Sequence, residues 1–180
     1  MSETEATKNW FARRAKAEVE AKKDTLSYSE RVGNIIGVVC SLLILWYFVA
    51  HQTGSTGFFT ATFGTLEMLL FYGCLMYGIV STALKGLFGR KNLARLFDVF
   101  GAILGAVVIA WLFVIFPFDF AYFADVLPSF LRFLLQWISN DIARVLMVLG
   151  IIVTLVMTIY TALLYVLVRR ELSKPTLKTA

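Results

Sequence analysis

No charged residue interrupts the chain between Val32 and Ala50, Met68 and Leu84, Val99 and Phe116, or Val145 and Val168. Each run approaches the roughly 20 apolar residues that a helix needs to cross a hydrocarbon layer about 30 Å thick. Runs of that length, four times over in 180 residues, leave little polar surface for a water-soluble fold. Composition agrees: 59% of residues are hydrophobic and only 16% are charged, outside the usual balance of a globular domain. In lipid every backbone N–H and C=O must be satisfied within the segment, which restricts such runs to helices. The expected fold is an all-α integral membrane protein with four transmembrane helices, at about 32–50, 64–84, 97–116 and 143–168.

Charge outside the runs assigns the sides. Lys85-Gly-Leu-Phe-Gly-Arg-Lys-Asn-Leu-Ala-Arg95 is read as a short basic loop between the second and third spans. Lys16, Lys22, Lys23 and Arg31 precede the first span, and Arg169, Arg170, Lys174 and Lys178 follow the fourth. On the other side only Arg132 and Arg144 occur. Lysine and arginine are retained on the cytoplasmic face, so both termini are expected there. The chain divides into a polar N-terminal segment (1–26), a transmembrane domain (27–172) and a basic tail (173–180). The first 30 residues contain no apolar h-region, so no cleavable signal peptide is expected and the first span serves as the insertion signal. The expected location is the cell (plasma) membrane. A net charge of +5 carried outside the spans suits anionic lipid at the cytoplasmic face rather than nucleic acid.

Local signals punctuate the spans. Residues 7–23 carry charges four apart with a thin apolar stripe at Trp10, Phe11, Ala15 and Val19, a pattern for a cytoplasmic helix on the membrane or on a partner. Ser27-Tyr28-Ser29-Glu30 is a capping box placed directly before the first run. Asn92 is the expected N-cap of the third helix, and Pro117 ends it. Between Phe118 and Asn140, Ser129, Arg132, Gln136 and Ser139 recur every three or four residues on an apolar background. That spacing predicts a short amphipathic helix in the outer headgroup plane, capped by Asp125 and anchored by Trp137. Trp46 and Trp111 are assigned as further interfacial anchors.

Gly33 and Gly37 open the first span and Gly101 and Gly105 open the third. Glycines four apart leave one helix face bare and let another backbone approach, so GxxxG packing predicts a crossing of helices one and three. Thr82-Ala83-Leu84 with Arg90-Lys91, and Thr161-Ala162-Leu163 with Arg169-Arg170, repeat at one offset. The pattern fits either a duplicated helical hairpin or chance matching among apolar runs.

Few residues could carry chemistry. Glu67 lies roughly 14 Å along the second helix if that helix starts near Phe58, or in its first turn if it starts near Thr65. The glycine and threonine before it favour the later start. With Thr60, Thr62 and Thr65 it forms the one candidate polar pathway. His51, the single histidine, suits an interfacial polar position better than a haem ligand, since bis-histidine ligation would need a second chain. Cys40 and Cys74 both fall in apolar runs, against a disulfide or a zinc site. No P-loop, dinucleotide fingerprint or hydrolase motif is present, and no cofactor or metal is expected. The functional expectation is a non-catalytic subunit or scaffold of a membrane complex, as a homo-oligomer or with a membrane partner. The alternative is a small oligomeric channel or transporter whose path runs near Glu67.

Overall fold

The computed structural model describes residues 26–89 and 91–172. The expected cytoplasmic helix before Lys23 and the tail after Leu172 lie outside the described residues. Four long helices follow in chain order: α1 (Tyr28–Thr53), α2 (Thr65–Phe88), α3 (Lys91–Ile115) and α4 (Asn140–Leu172). All four are long and apolar enough to cross a membrane. Two 3₁₀ turns, Phe120–Tyr122 and Ser129–Leu134, lie between α3 and α4.

Local chemistry sets most helix ends. Ser27 caps α1 as its sequence indicates: the Ser27 N–H donates to Glu30 Oε2 at 2.7 Å and the Glu30 N–H donates to Ser27 Oγ at 3.4 Å. α2 closes on Gly89 at φ +63°, the left-handed cap that glycine adopts without a Cβ penalty. The Arg31 guanidinium lies where a Gly89 side chain would be, and the Leu26 N–H bonds the Gly89 carbonyl at 2.7 Å. The start of α1 is thereby fixed beside the end of α2.

α3 ends before Pro117, which has no N–H to continue it. Phe116, between the helix and the proline, adopts φ +44°. For α4 the cap is Ser139, whose Oγ accepts the Ile142 N–H at 3.3 Å.

Three expectations are corrected. The stretch from Lys85 to Arg95 is mostly helix, because α2 runs on to Phe88 and α3 already begins at Lys91, ahead of the Asn92 expected to cap it. The short amphipathic helix expected in the α3–α4 connection takes the form of the 3₁₀ turn Ser129–Leu134, which Pro128 precedes and for which Asp125 supplies no cap. Arg132 instead folds back, donating to the carbonyls of Leu127 and Asp125, each at 3.2 Å, and pairing with Asp125 Oδ1 at 3.4 Å.

The third correction concerns the glycines. Among the described residues, each helix packs on its chain neighbours: α1 on α2, α2 on α3, and α3 on α4. The α1 and α3 backbones do not come together as those of the neighbouring pairs do. Gly37 meets Thr82 of α2, and Gly101 and Gly105 meet Tyr77 and Cys74 of α2, while Gly33 faces open space. The bare faces admit α2 side chains, not one another.

α2 therefore presents two faces, one to each neighbour. Met68, Thr82 and Gly86 meet α1, whereas Glu67, Cys74, Tyr77 and Lys85 meet α3. Because α1 and α4 are not in contact, the four helices form an open row.

Candidate functional site

The end of the row that carries the α1–α2 and α3–α4 connections, called outer after the expectation from the sequence, is closed by the pairing of these two connections. Phe59 and Phe118 form an antiparallel bridge. The Thr60 N–H bonds the Pro117 carbonyl at 3.1 Å, and the Asp119 N–H bonds the Phe58 carbonyl at 2.7 Å. Phe58, only 1% exposed, is the centre of this cap. Its ring lies 5.4 Å from Phe118, 5.3 Å from Phe120 and 5.2 Å from Phe123, within the range where aromatic quadrupoles attract.

His51, also 1% exposed, sits inside the cap. Its Nε2 lies 3.1 Å from the Phe123 carbonyl and its Nδ1 lies 2.6 Å from Thr56 Oγ1. A carbonyl only accepts, so Nε2 carries a proton. A hydroxyl can donate, so Nδ1 is satisfied without one, and the neutral ring meets both partners. The Tyr47 hydroxyl donates to the same Phe123 carbonyl. The last turns of α1 are thus tied to the start of the α3–α4 connection.

Glu67 is buried at the third position of α2, which starts at Thr65. One carboxylate oxygen accepts the Gly64 N–H at 3.1 Å and the other accepts the Trp111 indole N–H at 3.2 Å. The first bond satisfies a donor that the helix start leaves open. The second joins α2 to α3. Trp111, assigned from the sequence as an interfacial anchor, is therefore also a tie between helices, although its ring, like those of Trp46 and Trp137, is exposed. Of the proposed pathway residues, Thr60 and Thr62 bond each other at 2.8 Å, and Thr65 opens α2.

Beneath the cap, between α1 and α4, lies an apolar cleft of about 490 Å³. Phe48 of α1 forms one wall and Met147 and Gly150 of α4 the other. Phe71 and Cys74 of α2 and Leu112 of α3 form its back, with Phe58, Phe118 and Phe123 as its roof. No charged side chain lines it. Sequence reasoning missed it, because its walls come from segments scattered across more than 100 positions and share no spacing.

At the opposite end, Lys85 Nζ pairs with Asp98 Oδ1 at 2.5 Å between α2 and α3. No group of three or more His, Cys, Asp or Glu that could hold a metal occurs among the described residues.

These features define a small helical protein with four helices long and apolar enough to cross a membrane. Comparison with protein families, with characterised proteins and with solved structures finds no match to this chain.

Proposed function

We propose that this chain is a non-catalytic subunit or scaffold of a membrane protein complex, set in the cell membrane with both termini cytoplasmic. The observation that carries the reading is the use made of Glu67. It is the single acid of α2, and both its oxygens are spent on holding the helix start and the neighbouring helix. A conducting carboxylate would face a wet path or a mobile partner. Several polar groups near the spans are used in the same way: His51 within the cap, Lys85 on Asp98, and the Thr82 and Thr158 hydroxyls on their own helix backbones. What remains outward is apolar helix surface, and the lysines and arginines that the sequence groups beside the span ends suit anionic lipid at the proposed cytoplasmic face.

The test is purification in mild detergent with native mass measurement, joined to flux assays in liposomes. The proposal predicts a stoichiometric companion, either further copies or another membrane chain, and no ion or solute flux. Flux that disappears in Glu67→Gln would overturn it in favour of an oligomeric channel.

A further inference from the structure

The cleft between α1 and α4 raises the question of what fills it. The cleft is a groove of about 490 Å³, open to one side and lined by apolar side chains, so it offers an occupant more contact than a single helix face does. Water is a poor filler, since a bound water needs two to four polar partners and the lining carries no charged side chain. The volume falls in the range of small-ligand sites. A transmembrane helix, about 10 Å across and some 30 Å long, needs several times that space. The roof of Phe58, Phe118 and Phe123 also blocks any helix from continuing outward through the headgroup layer. A flexible hydrocarbon chain entering from the side meets no such obstacle, because α1 and α4 are not in contact there.

We infer that this cleft holds one acyl chain of a membrane phospholipid, inserted sideways from the bilayer between α1 and α4 beneath the aromatic roof. The chain gains dispersion contacts with walls on several sides, which a lipid lying along a single helix face lacks. This assignment is independent of the assembly role proposed above, because it concerns one chain and a lipid rather than a protein partner.

Gly150 supplies the test. It lines the cleft, and a Cβ there meets nothing within 4 Å, so a larger side chain fills the space without pushing another helix. Gly73 offers the matching control: a Cβ there also meets nothing within 4 Å, but the residue is exposed outside the cleft. Native chain, Gly150→Phe and Gly73→Phe are reconstituted in dioleoyl phosphatidylcholine nanodiscs, transferred to mild detergent and weighed intact. One retained phospholipid per chain is expected for the native protein and for Gly73→Phe, with retention about tenfold lower in Gly150→Phe. Equal retention in all three, no retained lipid in any, or a retained fatty acid in place of phospholipid would overturn the assignment.

A second measurement uses the native chain alone, so it stands even if Gly150→Phe does not fold. Phosphatidylcholine carrying a diazirine on its acyl chain is photolysed with the protein. Adducts are expected at Cys74 and Met147 in preference to the outward-facing Val153 and Val156. Adducts confined to the outward residues would overturn the proposal.

Discussion

The two ends of the helix row are held by different means. At the outer end, two loops pair through their backbones and enclose Phe58 and His51, both nearly inaccessible. At the inner end, adjacent helices are tied by contacts between chain neighbours: Leu26 to Gly89, and Lys85 to Asp98, whose carboxylate is 45% exposed. Lipid supplies no hydrophobic drive for helices to associate, so specific polar ties and close packing must set the arrangement. The contrast teaches that the outer cap joins distant parts of the chain, connecting α1 to the α3–α4 connection across a cleft that the helices themselves leave open. The inner ties join helices that also follow one another in the chain, and Lys85–Asp98 spans the short turn between α2 and α3.

That contrast makes the cap the most sensitive region. His51→Ala removes a buried ring and leaves the Thr56 hydroxyl with only the Phe58 N–H, 3.4 Å away. It is expected to lower stability by about 3 kcal/mol, from the lost hydrogen bonds and the cavity together, read by denaturant-induced unfolding in micelles. A change below about 0.5 kcal/mol, the range of ordinary surface substitutions, would mean that the cap does not hold the fold.

A second prediction separates the glycine faces. An ideal Cβ at Gly101 would stand 2.5 Å from Tyr77 Cε1, and displacing that ring breaks the bond from the Tyr77 hydroxyl to the Phe97 carbonyl, 2.9 Å long. Gly101→Leu should cost about 2 kcal/mol by overpacking. Gly33→Leu, facing open space, should leave the midpoint of unfolding within experimental scatter. Equal losses at both positions would restore the crossing of α1 and α3 that the sequence suggests.

The glycines show where sequence reasoning stops. Spacing of four marks a bare helix face, but it does not name the neighbour, and here α2 fills the role at Gly37, Gly101 and Gly105. Features governed by adjacent residues were legible: the four spans, the Ser27–Glu30 box, the stop at Pro117, and the placing of Glu67 in the first turn of α2. The cap was not. Phe59 and Phe118 are joined by a bridge between two loops, and no local pattern announces such a pairing. Nor did the stripe of Ser129, Arg132 and Gln136 reveal that Arg132 would turn back onto the carbonyls of Asp125 and Leu127. The cleft, built by all four helices and both outer connections, was equally invisible.

Two smaller effects sharpen the contrast. The Tyr72 hydroxyl is buried with no hydrogen-bond partner among the described residues. Tyr72→Phe removes an unsatisfied group and is expected to raise stability by about 1 kcal/mol, seen as a higher melting temperature in detergent. A fall would reveal a partner for that hydroxyl. Lys85→Met, at the inner end, should cost less than about 1 kcal/mol, as partly exposed ion pairs do. A loss matching that of His51→Ala would erase the distinction between the ends.

The central claim is four crossings, with the paired loops outside and the α2–α3 turn inside. It is tested most directly by single cysteines in a background with Cys40 and Cys74 replaced by alanine, probed on intact cells with a membrane-impermeant maleimide. Cysteines at Ser55 and Ser129 should label in intact cells, whereas one at Leu87 should label only after permeabilisation. Labelling of Leu87 from outside, or protection of Ser55 and Ser129, would contradict it.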